Sequence, residues 1–165
     1  MKTNTYRRAR FLTHAAMIAA IYVALTWLSA LVGLSGMGAI QLRLSEALCV
    51  LPYFTAAAIP GVSVGCLLAN LLTGAALPDV IFGTLATVIG AFGTYFLRRF
   101  RFLAAVPPIV ANTLIVPFVI RYAYLDVSES LPFLFLTVGL GEILSIGVFG
   151  TLLLLALEKK RSIFQ

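Results

Sequence analysis

Seven polar side chains interrupt a sequence otherwise suited to lipid: Gln41, Arg43, Glu46, Asn70, Asp79, Asn112 and Glu142. Carboxylates accept hydrogen bonds from amino and ring N–H groups, and a side-chain amide can face either a donor or an acceptor. Brought together, such groups suit a flat, polar, donor-rich small molecule, with Tyr53, Phe82 or Tyr122 as candidates to stack on it. Catalysis is a poor fit. The chain holds no HExxH, GxSxG or GxxxxGK[ST] motif. His14, its one histidine, falls near the basic end of the first apolar run, away from the acids. No nucleotide hydrolysis, metal or cofactor is expected of this chain by itself.

Glu142 carries the most information. A charge at mid-bilayer costs on the order of 2.5–3.5 kcal/mol on insertion scales, so such a residue usually faces a bundle interior or a water-filled cavity. Gly139 and Gly141 remove bulk beside it and leave room for a ligand; the plainer reading is a structural pair with a polar neighbour such as Asn112. Asp79 also has a plain reading, as a first-turn carboxylate at the positive end of a helix macrodipole. Residues 40–48, IQLRLSEAL, place Gln41, Arg43 and Glu46 between two apolar spans. There they sit at a membrane surface or roof a cavity.

The elements that must position these groups are membrane helices. Hydrophobic residues make up 61% of the chain and charged ones 11%, against roughly 25% charged in a soluble domain. At about 20 residues per crossing, 165 residues allow five or six spans in a single domain, residues 1–165. The apolar runs predict spans at residues 11–33, 44–57, 60–72, 79–97, 102–120 and 131–157. This is an all-α integral membrane protein, a bundle of six transmembrane helices. The first run exceeds the roughly 7–15 apolar residues of a signal peptide and reads as a retained span. The second is short for a hydrocarbon core of roughly 30 Å, so it is expected to be inclined, shielded by neighbours or continuous with the polar stretch before it. Pro107, Pro108 and Pro117 are expected to interrupt the fifth span, where freed carbonyls need neighbours or a cavity. Gly61, Gly65 and Ala69, four residues apart, give the third a smooth ridge for close packing.

Ten of the twelve lysines and arginines fall at residues 2–10, 98–101 and 159–161, leaving Arg43 and Arg121 for the opposite side. By the positive-inside rule both termini are cytoplasmic. Most acids are distributed the other way. The basic residues form short clusters between apolar runs, unlike the stripe of a nucleic-acid-binding face, so no nucleic-acid partner is expected. Cys49 and Cys66 lack metal or redox spacing and are read as packing residues. In the first span, Ala15, Ala16, Ala19 and Ala20 form two overlapping small-xxx-small pairs, suited to packing within the bundle or to a partner helix.

The run QLRLSEALCVLPYF, followed by AAIPGVSVGCLLANLLTG and PDVIFGTLAT, resembles the queuosine-precursor transporter (QueT) family, substrate-binding S-components of energy-coupling factor (ECF) transporters. NTLIV around Asn112 and VGLGE ending at Glu142 extend the likeness through the chain. The resemblance implies a six-helix subunit of a prokaryotic cell membrane, with an outward-facing pocket and the loop after the first helix as its lid, which assigns residues 40–48 to lid and pocket rim. It implies a 7-deazaguanine substrate, either a base with an aminomethyl or cyano group or queuine. A guanine-like edge has adjacent N–H donors that one carboxylate can accept together, and an aminomethyl cation would favour a second carboxylate. The sequence does not rank Glu142 and Asp79 for these two roles. The resemblance further implies a transmembrane T-component, docked on the alanine face, and two cytoplasmic ATPases that supply the energy. Six short helices without an internal repeat offer little machinery for alternating access alone. The other readings are an S-component for a different vitamin or heterocycle, and a stand-alone channel or exporter that works without ATPases.

Overall fold

A computed structural model describes residues 2–34, 42–124 and 129–160, and every regular element among them is helical. Gln41, Asp126 and Arg161 lie outside the described residues. Of residues 40–48, assigned to the lid and pocket rim, 42–48 are described, and Ser45 to Leu48 are enclosed by their neighbours in a 3₁₀ helix, so that part is no movable lid. Helix α1 is Lys2–Leu31, and a 3₁₀ helix follows at Leu44–Tyr53. Next come α2 (Ala58–Leu72), α3 (Leu77–Phe96), a 3₁₀ turn at Arg101–Leu103, and α4 (Val106–Ala123). The last segment starts as α5 (Leu131–Glu142), passes through a π-helical stretch at Ile143–Gly150 and ends as α6 (Thr151–Glu158).

Four stretches are long and apolar enough to cross a membrane: Thr5–Leu31, Leu77–Phe96, Arg101–Ala123 and Leu131–Glu158. This is a multi-pass membrane protein. The two remaining segments fall short of a hydrocarbon core of roughly 30 Å. At the rise of a 3₁₀ helix, Leu44–Tyr53 covers about 20 Å, and α2, Ala58–Leu72, covers about 22 Å. The expected span at residues 44–57 is thus a tighter helix that stops at Tyr53. Every residue from Ser45 to Tyr53 is buried. A backbone departing from the α-helix survives at membrane depth only where protein surrounds it, and here the other segments form that sleeve.

Close approach of backbones builds the sleeve. A Cβ at Gly61 would meet the Ile18 Cβ at 2.9 Å, and one at Gly65 would meet the Tyr22 Cβ at 2.7 Å. The α2 ridge therefore lies directly on α1, and the two helices run in the same direction. Across the antiparallel α3–α4 pair, a Cβ at Gly90 would meet the Pro108 Cα at 2.6 Å, and Gly93 is overlain by the Pro107 ring. Pro107 and Pro108 do not interrupt the fifth span as expected. They occupy the first turn of α4, where the missing N–H would have had no helical acceptor and the fixed φ suits a helix start. Only Pro117 lies inside that helix. In the π-helical stretch, Gly150 lets the Val50 side chain and the Ala47 carbonyl of the 3₁₀ helix come close.

The segments alternate in direction, which separates two ends of the bundle. One end carries the α2–α3 turn, Arg43 and Tyr124. At the other, the Arg101 guanidinium donates to Glu158 at 3.3 Å, and the Thr94 hydroxyl donates to the Ala104 carbonyl at 2.7 Å. Helix α1 begins and α6 finishes at this second, basic end.

Because Gly65 has no free volume, Gly65→Leu is expected to separate α1 from α2 and destabilise the bundle by about 1–3 kcal/mol or more. Gly147→Ala is the comparison, since its Cβ would find nothing nearer than 3.7 Å. Thermal unfolding in detergent should show a clear drop for the first and little change for the second.

Candidate functional site

Glu46 stands near the start of the 3₁₀ helix, buried to 3% exposure. Its carboxylate is held from three sides. The Tyr22 hydroxyl of α1 donates to Oε1. The Cys49 thiol donates to Oε2 at 3.2 Å and the Asn112 amide of α4 donates to the same oxygen at 3.3 Å. The local helix type explains the cysteine: in a 3₁₀ helix, residues i and i+3 eclipse, so Cys49 lies under Glu46. Asn112 also donates to Glu142 Oε2 at 3.0 Å, from the same Nδ2. One amide thus bridges two carboxylates on different segments. Among the described residues, Asn112 is the only donor to the Glu142 carboxylate, whereas the Glu46 carboxylate has three. Glu142 sits where α5 gives way to the π-helical stretch, and π-helical turns occur often at functional sites.

A second cluster closes the acidic end. Asp79, in the first turn of α3, accepts from the Tyr124 hydroxyl at 2.9 Å and pairs with Arg43 at 3.8 Å, too far for a hydrogen bond. Arg43 also donates to Asn70 Oδ1 at 3.4 Å, and the Ala76 N–H donates to the Tyr124 oxygen at 3.3 Å. The Asn70 amide reaches the Cys66 sulfur at 3.7 Å. Burial, and then the Asp79 carboxylate, push the Tyr124 phenol above its ordinary value. It stays a donor at physiological pH. This cluster joins the segment before the 3₁₀ helix, α2, α3 and the end of α4.

Between the two clusters lies a small cavity with polar walls at both ends. Arg43 and Asp79 border it at one end, and Glu46, Asn112 and Glu142 at the other. Thr87, Cys66, Val116 and Val138 supply the walls, and Gly83 keeps space open in front of Asp79. Arg43 is the one cation in this lining, against three carboxylates.

The seven expected site residues thus divide. Arg43, Glu46, Asp79, Asn112 and Glu142 line one cavity, Asn70 stands behind it as a partner of Arg43, and Gln41 lies outside the described residues. Asp79 combines both of its expected roles, as a first-turn carboxylate and as a cavity group. The expected pair between Glu142 and Asn112 forms, and both members still face the cavity. The aromatic expectation needs correction. Phe82 and Tyr122 are exposed on the outside of the bundle, and Tyr53 packs edge-on against Phe54 in the apolar core. Their positions follow the lipid-facing and core-facing stripes of their helices.

Sequence reading missed Tyr22, Tyr124 and Thr87 as site groups and gave Cys49 and Cys66 packing roles alone. A signal for the first was available: Tyr22, Thr26 and Ser29 recur at helical spacing on α1, and all three are buried. The Thr26 hydroxyl donates to Ser45 Oγ at 2.8 Å, and the Leu44 N–H donates to Ser29 Oγ at 3.0 Å. That polar stripe docks the start of the 3₁₀ helix. The alanines of α1 also separate into two groups. Ala15 and Ala19 lie against the Gly61 and Gly65 ridge, while Ala16 and Ala20 are exposed. Among the described residues there is no group of three or more His, Cys, Asp or Glu able to hold a metal ion.

Residues 12–159 match the model of a family described as QueT transporter. No curated protein and no solved structure matched the chain.

If Tyr22 holds Glu46 in place, Tyr22→Phe should lower folding stability by about 1.5–3 kcal/mol, the usual contribution of a hydrogen bond to a charged group. The check is denaturation in detergent. Unchanged stability would mean that the carboxylate does not depend on this donor.

Proposed function

The chain belongs to the QueT transporter family, and we propose that it is the substrate-binding S-component of an ECF importer, capturing a 7-deazaguanine base for uptake. As a member of a transporter family it is a transport protein. The observation that carries the finer reading is the cavity itself, where Glu142 and Asn112 face open space inside a membrane bundle. Buried carboxylates and amides in such a place suit a planar ligand rich in N–H donors, because each donor leaving water then finds an acceptor. A guanine-like edge offers adjacent N–H groups to one carboxylate, and Val116 and Val138 give the ring apolar walls.

Orientation follows from charge. Placing the basic end in the cytoplasm puts both termini inside and turns the mouth, bordered by Arg43 and Asp79, to the outside. A solute arriving there meets Arg43 first, which fits the assignment of its stretch to the pocket rim. Uptake then draws its energy from two partner ATPases through a T-component, since the sequence carries no GxxxxGK[ST] motif of its own. The exposed pair Ala16 and Ala20 offers that partner a smooth helix face, where two backbones can approach closely.

Two measurements test these assignments. Mass spectrometry of the small molecule released from protein purified out of its own cells should find a 7-deazaguanine; a flavin or thiamine would overturn the substrate. Ala16→Leu should abolish co-purification with the T-component and leave ligand binding within about twofold of wild type, since an exposed substitution usually changes stability by no more than about 0.5 kcal/mol. Loss of both would place Ala16 in bundle packing instead.

A further inference from the structure

The three carboxylates of the cavity differ in how fully they are used. Asp79 faces the Arg43 guanidinium and accepts from Tyr124. Glu46 takes three donors, from Tyr22, Cys49 and Asn112, which fix both of its oxygens. Glu142 has only the shared Asn112 amide, on one oxygen, and its other oxygen accepts nothing from the described residues. Glu46 and Glu142 are reached by the same nitrogen atom, so two carboxyl groups stand close together inside the bundle. Arg43, the one cation among the lining residues, is paired with Asp79. Two adjacent carboxylates out of water favour either a shared proton or a bound cation. Both line the cavity, and Glu142 is the more accessible of the two, half-buried where Glu46 is fully buried.

We propose that the substrate enters the cavity as a cation and that Glu142 selects its positive charge, accepting from an ammonium group, while Glu46 is the fixed wall behind it. This rests on the reading of the cavity as the substrate site, and it ranks the acids that the sequence left unranked. Within the deazaguanines it picks the aminomethyl base over the uncharged cyano base. The amine reaches the oxygen of Glu142 that Asn112 leaves free, and Asn112 keeps the carboxylate turned toward it.

Titration calorimetry of the purified full-length protein in detergent at pH 7 tests this, with 7-aminomethyl-7-deazaguanine and 7-cyano-7-deazaguanine as ligands. The aminomethyl base should bind about 10- to 100-fold more tightly, the range expected for one charge-assisted hydrogen bond. Glu142→Gln keeps an acceptor for Asn112 and should remove most of that ratio by weakening the aminomethyl base alone. Equal affinity of the two bases for the wild type, or a ratio unchanged in Glu142→Gln, overturns the proposal. If Glu142→Gln does not fold, the wild-type ratio alone decides. If neither base binds, the deazaguanine reading fails, and charge selection is then decided by thermal shift with benzylamine against benzyl alcohol. Stabilisation by the amine alone upholds it, and equal effects overturn it.

Discussion

A carboxylate inside a membrane bundle must find its hydrogen-bond donors in the protein, and Glu46 is the place where this requirement shapes the molecule. Its donors come from α1, from its own 3₁₀ helix and from α4, so the first, second and fifth segments have to converge on one point. The second segment can then be short, because it serves as an inner strut and its length need not match the bilayer. Its burial from Ser45 to Tyr53 protects a backbone that lipid would not tolerate in the open. The cavity is what remains when that strut, α3, α4 and α5 pack around the polar groups they share.

Close packing and polarity are two sides of this arrangement. Glycines at 61, 65, 90 and 93 bring α2 onto α1 and α3 onto α4 without side chains between them. The tight contacts lie mostly toward the basic half, while Gly83 has only polar atoms of Asp79 and Asn70 near it. The close backbone contacts therefore gather in one half of the bundle and the small polar cavity lies in the other. Asn112 lies at the boundary, where its amide holds Glu46 and Glu142 in one frame. Asp79 and Arg43 define the mouth in the same way. Each lies close to the end of its segment, where chain leaving the membrane supplies Tyr124 and the Ala76 N–H.

Much of this was legible in the sequence, and the exceptions have physical causes. Low charge and long apolar runs identify the helical membrane class, and polar residues inside those runs point to the cavity, because such residues are costly unless they face one another or a ligand. Helix type was not legible: ten residues with Glu46 and Cys49 three apart fit an α-helix as well as a 3₁₀ helix, and the choice is made by neighbours. Pro107 and Pro108 look like an interruption until the helix start is placed at Val106, where they become its first turn. Tyr22 was hidden because a tyrosine on a membrane helix is usually core or interfacial, and only the direction of α1 turns it toward Glu46. The alanine pattern gave two overlapping pairs, but the α2 ridge decides that Ala15 and Ala19 are spent on it and that Ala16 and Ala20 remain outside.

The central claim is that the space between the Asn112 bridge and the Arg43–Asp79 pair is the solute-binding pocket. The most direct measurement is an experimental structure of the full chain with its co-purified solute retained. Solute density should lie between Asp79 and Glu142, with a donor within hydrogen-bonding distance of Glu142 and with Tyr22 and Asn112 still on Glu46. Density on an outer face of the bundle, with the cavity side chains unengaged, would contradict the account.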